Sequence, residues 1–216
     1  MALVLNGSND TITGLQINSA NIVDGSIVNA DINSSAAIAS SKISGSLGKI
    51  LQMVTVSDSV RETTGSVSII NAATFYATPF AVTITPSATS SKILLMGHVM
   101  GESSLDDYLI VWGMKRAISG GATTDIIAPA SGSRARCISV FPSGFYSAEN
   151  LSTPSVFNFS GLVDSPNTTS AVTYTFSVAA PQNTSVGFYY NRTNRDSDSI
   201  HDERGLSWIT AIEVGA

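Results

Sequence analysis

The stretch "NRTNRDSDSIHDERG" holds the densest group of side chains able to do chemistry: Arg192, Arg195, Asp196, Asp198, His201, Asp202, Glu203 and Arg204. Its "DSDSIHDE" portion offers carboxylate oxygens and an imidazole, the ligands a divalent ion takes. It lacks the fixed ligand spacing and central glycine of an EF-hand loop, so no metal is assigned to it. Opposite charges this close in sequence predict a hairpin loop whose ion pairs form within the chain or across subunits. Arg192, Arg195, Asp196, Asp198, His201 and Asp202 are also candidate contacts for an external receptor.

A second acidic group, Glu102, Asp106 and Asp107 in "GESSLDDY", raises polysaccharide cleavage. That reaction needs two carboxyls held ~5–10 Å apart in a groove, and surface loop charge is the ordinary reading of such a run. Nucleophilic catalysis fares no better, with two histidines, one cysteine and no G-x-S-x-G elbow. His98 lies inside an apolar run and reads as structural, while Cys137 alternates with Ile138 and Val140 and reads as core. The expectation is a chain with no catalytic residue and no cofactor. Glycan recognition asks less, pairing aromatic platforms with polar side chains. Tyr108 and the stretch "GFYSAEN", with Phe145 and Tyr146, supply candidate platforms beside the 192–204 loop.

The elements that must position these residues are strands. Hydrophobic residues make up 43% of the chain and charged ones only 12%, so polarity comes from Ser, Thr and Asn. That bias favours β structure over exposed helices. Apolar or alternating runs recur at 50–56, 81–85, 92–100, 108–116, 155–163, 171–179, 185–191 and 207–214, with weaker ones near 66–70 and 134–141. Prolines nearly all fall between them. Residues 49–216 therefore read as an all-β head, an antiparallel β-sandwich of the jelly-roll kind.

Several strands are apolar on both faces. In 108–116, Tyr108, Ile110, Trp112 and Met114 share one side and Leu109 and Val111 the other. A lone sandwich strand shows one dry and one wet face. The second apolar face predicts a neighbouring subunit, the alternative being a central strand covered by its own loops.

Charge and cysteine usage exclude several partners. The formal net charge is −5, which repels phosphate backbones and anionic lipid, so no nucleic acid and no membrane insertion are expected. One cysteine excludes an intrachain disulfide. The first residues, "MALVLNGSND", lack a basic region and a long apolar run. A soluble protein made in a reducing cytoplasm is expected, one that acts outside the cell only if lysis, rather than secretion, releases it.

Residues 1–48 contain no aromatic side chain and carry isoleucine in steps of five, at Ile12, Ile17, Ile22, Ile27 and Ile32. A small residue stands two places before three of them, at Ala20, Gly25 and Ala30. That is the pattern of a square-sided coil with one side per five residues, here little more than one turn long. Such coils need stacked neighbours to bury their faces. Three parallel chains pooling Ile17, Ile22, Ile27 and Ile32, then Ile38 and Ile43 after a slip in register, would supply the stack. The segment is expected to be a short, extended, intertwined β-shaft.

The run "VDGSIVNADINSSAAIASSKIS" ahead of "GKILQMV" resembles tail-fibre and fibre-like virion proteins of tailed bacteriophages. So does "ITPSATSSKILLMGHV", with Pro86 and Ser87 at its turn, and the closing "FYYNRTNRDSDSIHDERGLSWITAIEV". The resemblance implies a homotrimer with a head like those of the TNF and complement C1q families. It also implies attachment to other virion proteins through the N-terminal segment, assembly in the host cytoplasm, and adsorption to a bacterial surface glycan or protein receptor. A purely structural collar, decoration or spike protein is the alternative, and a glycan-processing enzyme a more distant one.

Overall fold

The computed structural model describes residues 22–23, 25–33, 35–36, 50–57, 66–71, 73–105, 110–140, 152–182 and 185–215. Two compact units result, Met1–Gly45 and Ser46–Ala216. Among the described residues the second holds eleven strands: β1 Ile50–Ser57, β2 Ser66–Ile69, β3 Tyr76–Ile84, β4 Lys92–Ser103, β5 Val111–Ile118, β6 Thr123–Ile126, β7 Ser139–Val140, β8 Ser155–Asp164, β9 Val172–Ala179, β10 Val186–Tyr190 and β11 Trp208–Val214. One sheet runs β1-β11-β4-β10-β2, with β8 also paired to β4; the other runs β3-β9-β5-β6, with β7 paired to β5. All these pairings are antiparallel. The unit is an antiparallel β-sandwich, as the alternating runs predict.

Alternation decides what fills the interior. Val172, Tyr174, Phe176 and Val178 of β9 are fully buried, as are Ile93 and Leu95 of β4 and Ile209 and Ala211 of β11. Trp112 of β5 crosses the space between the sheets, its ring 4.2 Å from Phe157, 5.1 Å from Phe159 and 5.3 Å from Phe176. Offset aromatic contacts at these separations add to the area they bury.

Two details differ from the sequence pattern. Pro79 lies inside β3 rather than between runs, where the register with β9 shifts between Ala77 and Ala81. β3 is an edge strand, and an irregular edge tolerates a residue with no N–H to donate. β6 carries the sequence Thr-Thr-Asp-Ile, too polar to announce a strand, and forms because β5 offers it a pairing edge.

Two carboxylates, Asp164 largely covered and Glu213 fully buried, tie the elements together. Asp164, at the end of β8, accepts both oxygens' bonds from Arg116 Nη1 (2.9 and 3.1 Å) and one from the Tyr174 hydroxyl at 2.8 Å. Arg116 and Tyr174 belong to the opposite sheet, so the group clamps one sheet to the other. Burial, reinforced by the bond to Asp164, pushes the Tyr174 phenol above its ordinary pKa. Glu213 of β11 is fully buried. It accepts bonds from Gln52 Nε2 at 2.6 Å and from the Ser87 N–H and hydroxyl, each at 2.7 Å. Gln52 also donates to the Thr85 carbonyl at 2.6 Å, so β1, β11 and the turn after β3 meet at one carboxylate.

The first unit is described over a short stretch that keeps the step of five. Backbone bonds close turns from Ser26 N–H to Val23 O, Asp31 N–H to Val28 O and Ala36 N–H to Asn33 O, at 2.8–2.9 Å. Each turn begins one residue after an isoleucine of the series. Gly25 has φ of 78°, the left-handed value that the third position of a type II turn demands. Ile22, Ile27 and Ile32 are 42%, 55% and 40% exposed. Ile17, Ile38 and Ile43 lie outside the described residues.

Burial raises the Glu213 carboxyl pKa, but the bonds from Gln52 and Ser87 outweigh it and bring the value down to about 2 from 4.5. A depressed carboxylate stabilises the fold above its unfolded pKa and loses that contribution as pH falls through the folded one. Stability should therefore fall as pH drops from about 4.5 towards 2. Glu213→Gln should be less stable at neutral pH and flatter across that window. Urea unfolding midpoints over the acid range check this, and parallel curves for the two proteins would refute it.

Candidate functional site

The charged loop grows from the end of β10. Asn191, at φ of 61°, turns the chain out of the sheet. Its backbone is held by Asn191 N–H to Met100 O and Gly205 N–H to Asn191 O, each 3.0 Å. Arg192 and Arg204 pair as an isolated bridge, and Thr193 N–H donates to Glu203 O at 3.2 Å. The excursion is a narrow hairpin, as the charge pattern predicts.

Within it the charges are taken up locally. Arg195 grips Asp202, its Nε donating at 2.8 and 3.1 Å and its Nη2 lying 2.8 Å from Oδ1. The Ser197 N–H adds a bond to Asp202 at 3.0 Å, and the Ser197 hydroxyl donates to the same carboxylate. The Arg195 bond first, and those from Ser197 after it, bring the Asp202 carboxyl down to about 2. Arg204 pairs with Asp196. Arg192 stands over the Tyr189 ring at 4.3 Å, a cation–π contact. What the loop presents outward is its tip: exposed Asp198 and His201, and Ile200 at 93% exposure. Neither side chain of Asp198 or His201 hydrogen-bonds to another described residue. Among the described residues, no three His, Cys, Asp or Glu side chains converge as metal ligands.

Glu102 fastens the base of this loop. It is 4% exposed and accepts bonds from Thr153 N–H (2.9 Å), Thr153 Oγ1 (3.1 Å) and Asn194 N–H (2.8 Å). Both its oxygens are occupied, and it anchors Thr153 and Asn194 to β4. The Ser152 hydroxyl donates to the His201 carbonyl. The end of β4 and the residues just before β8 thus meet at the charged loop. Tyr108, Phe145, Tyr146, Asp106 and Asp107 lie outside the described residues.

A second feature is the outer face of the β1-β11-β4-β8 layer. Register brings Met53 opposite Ile212, Ile212 opposite Leu94, and Leu94 opposite Val163. Met53 and Val163 are 65% and 55% exposed, and Leu94, Met96, Trp208 and Ile212 are half-buried. His98 sits in this face, not in the core. Its Nδ1 lies 2.8 Å from Asn158 Oδ1, and its ring stacks on Trp208 at 6.5 Å.

The second apolar face of β5 has a different fate. Val111 packs in a separate cluster with Phe75 and Ala179, covered by Ile127 and Cys137 from the β6–β7 connection. The chain's own loop covers Val111 on this face, and Leu109 lies outside the described residues. Cys137 is half-buried in that cover, and burial pushes its thiol pKa up.

No protein-family model and no curated protein matches the chain. Among solved structures it is similar to a chain in a structure of infectious bursal disease virus, Gt strain, at 11% identity and a TM-score of 0.29. The match covers 84% of this chain and 41% of that one. A likeness at that score carries no inference about fold or role. Among the described residues, no helix is long and apolar enough to cross a membrane.

Asp202 orders the tip by holding Arg195 and Ser197 together. Asp202→Asn should speed hydrogen exchange of the Ser197 amide by about tenfold without shifting global unfolding. Amide exchange read by NMR checks this, and unchanged protection at Ser197 would remove Asp202 from that role.

Proposed function

We propose that this chain is a homotrimeric fibre protein of a tailed-bacteriophage virion. Its β-sandwich is a jelly-roll head for host-surface adsorption, and its N-terminal segment is an intertwined shaft anchored to other virion proteins. The observation that carries the reading is the outer face of the β1-β11-β4-β8 layer. Side chains such as Met53, Leu94, Ile212 and Val163 form one apolar surface there. A contiguous apolar surface on a sheet marks an interaction site. The strand order supports a jelly roll, since β1-β11-β4-β8 lies across the core from β3-β9-β5-β6. The turn every five residues over 23–36, with its isoleucines bare, supports a shaft completed by other copies.

Adsorption then falls to loops, and the tip of the 192–204 hairpin offers Asp198, Ile200 and His201 to a bacterial surface receptor. The internal pairing of Arg195 with Asp202 and Arg204 with Asp196 favours a second reading, a structural collar or decoration protein with no receptor contact.

The native mass in solution should be about three times 22.5 kDa. Met53→Glu with Leu94→Glu should yield a folded monomer, because both residues lie on the outer face. Light scattering and circular dichroism together check this, and a wild-type monomer at micromolar concentration would overturn the trimer. A trimeric head that neither adsorbs to susceptible cells nor competes with phage would leave the structural reading.

A further inference from the structure

The outer face of the β3-β9-β5-β6 sheet carries a cavity of about 450 Å³. Its floor is apolar, built from Phe75, Val111, Ile127 and Ala179, residues that alternate with core positions such as Trp112 and Val178. Gly113 makes the floor possible. A Cβ there would stand 2.8 Å from Ile127 Cγ2 and 3.0 Å from Phe75 Cε1, so any larger residue lifts both off the sheet.

The wall is the connection from β6 to β7, which leaves at Ile127 and returns at Cys137. Ala128 N–H to Cys137 O closes its base at 3.1 Å, and Gly132, at φ of 60°, reverses the chain. The returning limb of the loop, "SRARC", carries Arg134 and Arg136 to the cavity's rim.

Charge at the rim is unbalanced. Asp125 lines the cavity, but its carboxylate is taken by Lys115 Nζ at 2.7 Å. Arg134 spends Nη1 on the Ser131 carbonyl and hydroxyl, and Arg136 spends Nε on the Ala128 carbonyl at 2.8 Å. Those bonds orient the guanidinium groups and satisfy few of the five N–H donors each carries. Neither arginine has a carboxylate partner among the described residues. In a chain of net charge −5, two unpaired guanidinium groups over an apolar floor form a local anion site.

We infer that this cavity binds a carboxylated sugar, a uronic acid residue of an acidic polysaccharide. The guanidinium fork matches a carboxylate. The C–H face of a sugar ring suits a floor of Phe75, Ile127 and Ala179, which a small inorganic anion would leave bare. The volume lies in the range of small-ligand sites. The site is complete in one copy of the chain and does not depend on the threefold reading.

The test is calorimetry of the full chain with trigalacturonate, neutral galactotriose and inorganic phosphate, on wild type and on Arg134→Gln/Arg136→Gln. Both arginines are exposed, and circular dichroism confirms that the variant folds. Trigalacturonate should bind wild type, and the double variant and the neutral sugar should each bind at least about tenfold more weakly. Added salt should weaken the acidic sugar alone. Binding of neither sugar, equal binding of both, or an affinity unchanged in the double variant would overturn the inference. Phosphate binding as tightly as trigalacturonate would reduce the cavity to a plain anion site and overturn it too.

Discussion

A strand in a two-layer protein has two faces and one core, and β4 and β11 carry apolar side chains on both. Leu95 and Ile209 disappear between the sheets, while Leu94, Met96, Trp208 and Ile212 on the reverse are covered only in part. Fully burying such a side chain is worth about 1.5–3 kcal/mol. Bringing two proteins together costs an estimated 4–15 kcal/mol. Under the trimeric proposal, a handful of half-bare side chains per copy is of the right size to offset association. The other sheet meets the same demand internally, laying Ile127 and Cys137 over Val111. The two sheets share a pattern and differ in what lies on top.

Ionic groups in this chain act mostly as fasteners. Asp164 clamps sheet to sheet, Glu213 gathers β1, β11 and a turn, and Glu102 fixes two loop segments to the end of β4. A buried carboxylate is costly unless its lone pairs are filled, and here they are. With only 12% charged residues, much of the charge is committed to architecture. Among the described residues, Asp198 and His201 at one tip and Arg134 and Arg136 around the cavity are groups left for contact where loops project.

The strands were legible because burial on one or both faces writes itself into apolar alternation. β9 shows this, with Val172, Tyr174, Phe176 and Val178 inward and Thr173, Thr175 and Ser177 opposite. β6 was not legible, because Thr-Thr-Asp-Ile is held by its partner's edge and not by its own apolarity. The hairpin at 192–204 could be foreseen from its paired charges. The roles of Glu102 and His98 could not, since residue type does not say whether a side chain meets backbone amides or an aromatic neighbour across the sheet. The cavity escaped for a related reason. Its residues come from the turn before β3, from β5, from β9 and from a loop, and only folding brings them together.

The covered and uncovered faces also divide the surface by purpose. Apolar side chains at alternate strand positions are fixed by the sheet to within the pleat, which suits a repeated contact between identical copies. Loop residues face fewer such constraints and can change without disturbing the core. On the outer face of β1-β11-β4-β8 the apolar side chains lie on strands, whereas Asp198, His201, Arg134 and Arg136 lie on loops braced by a buried carboxylate or a closed base. Under the trimeric proposal, another copy of the same chain is met by the sheet and a partner that varies by the loops.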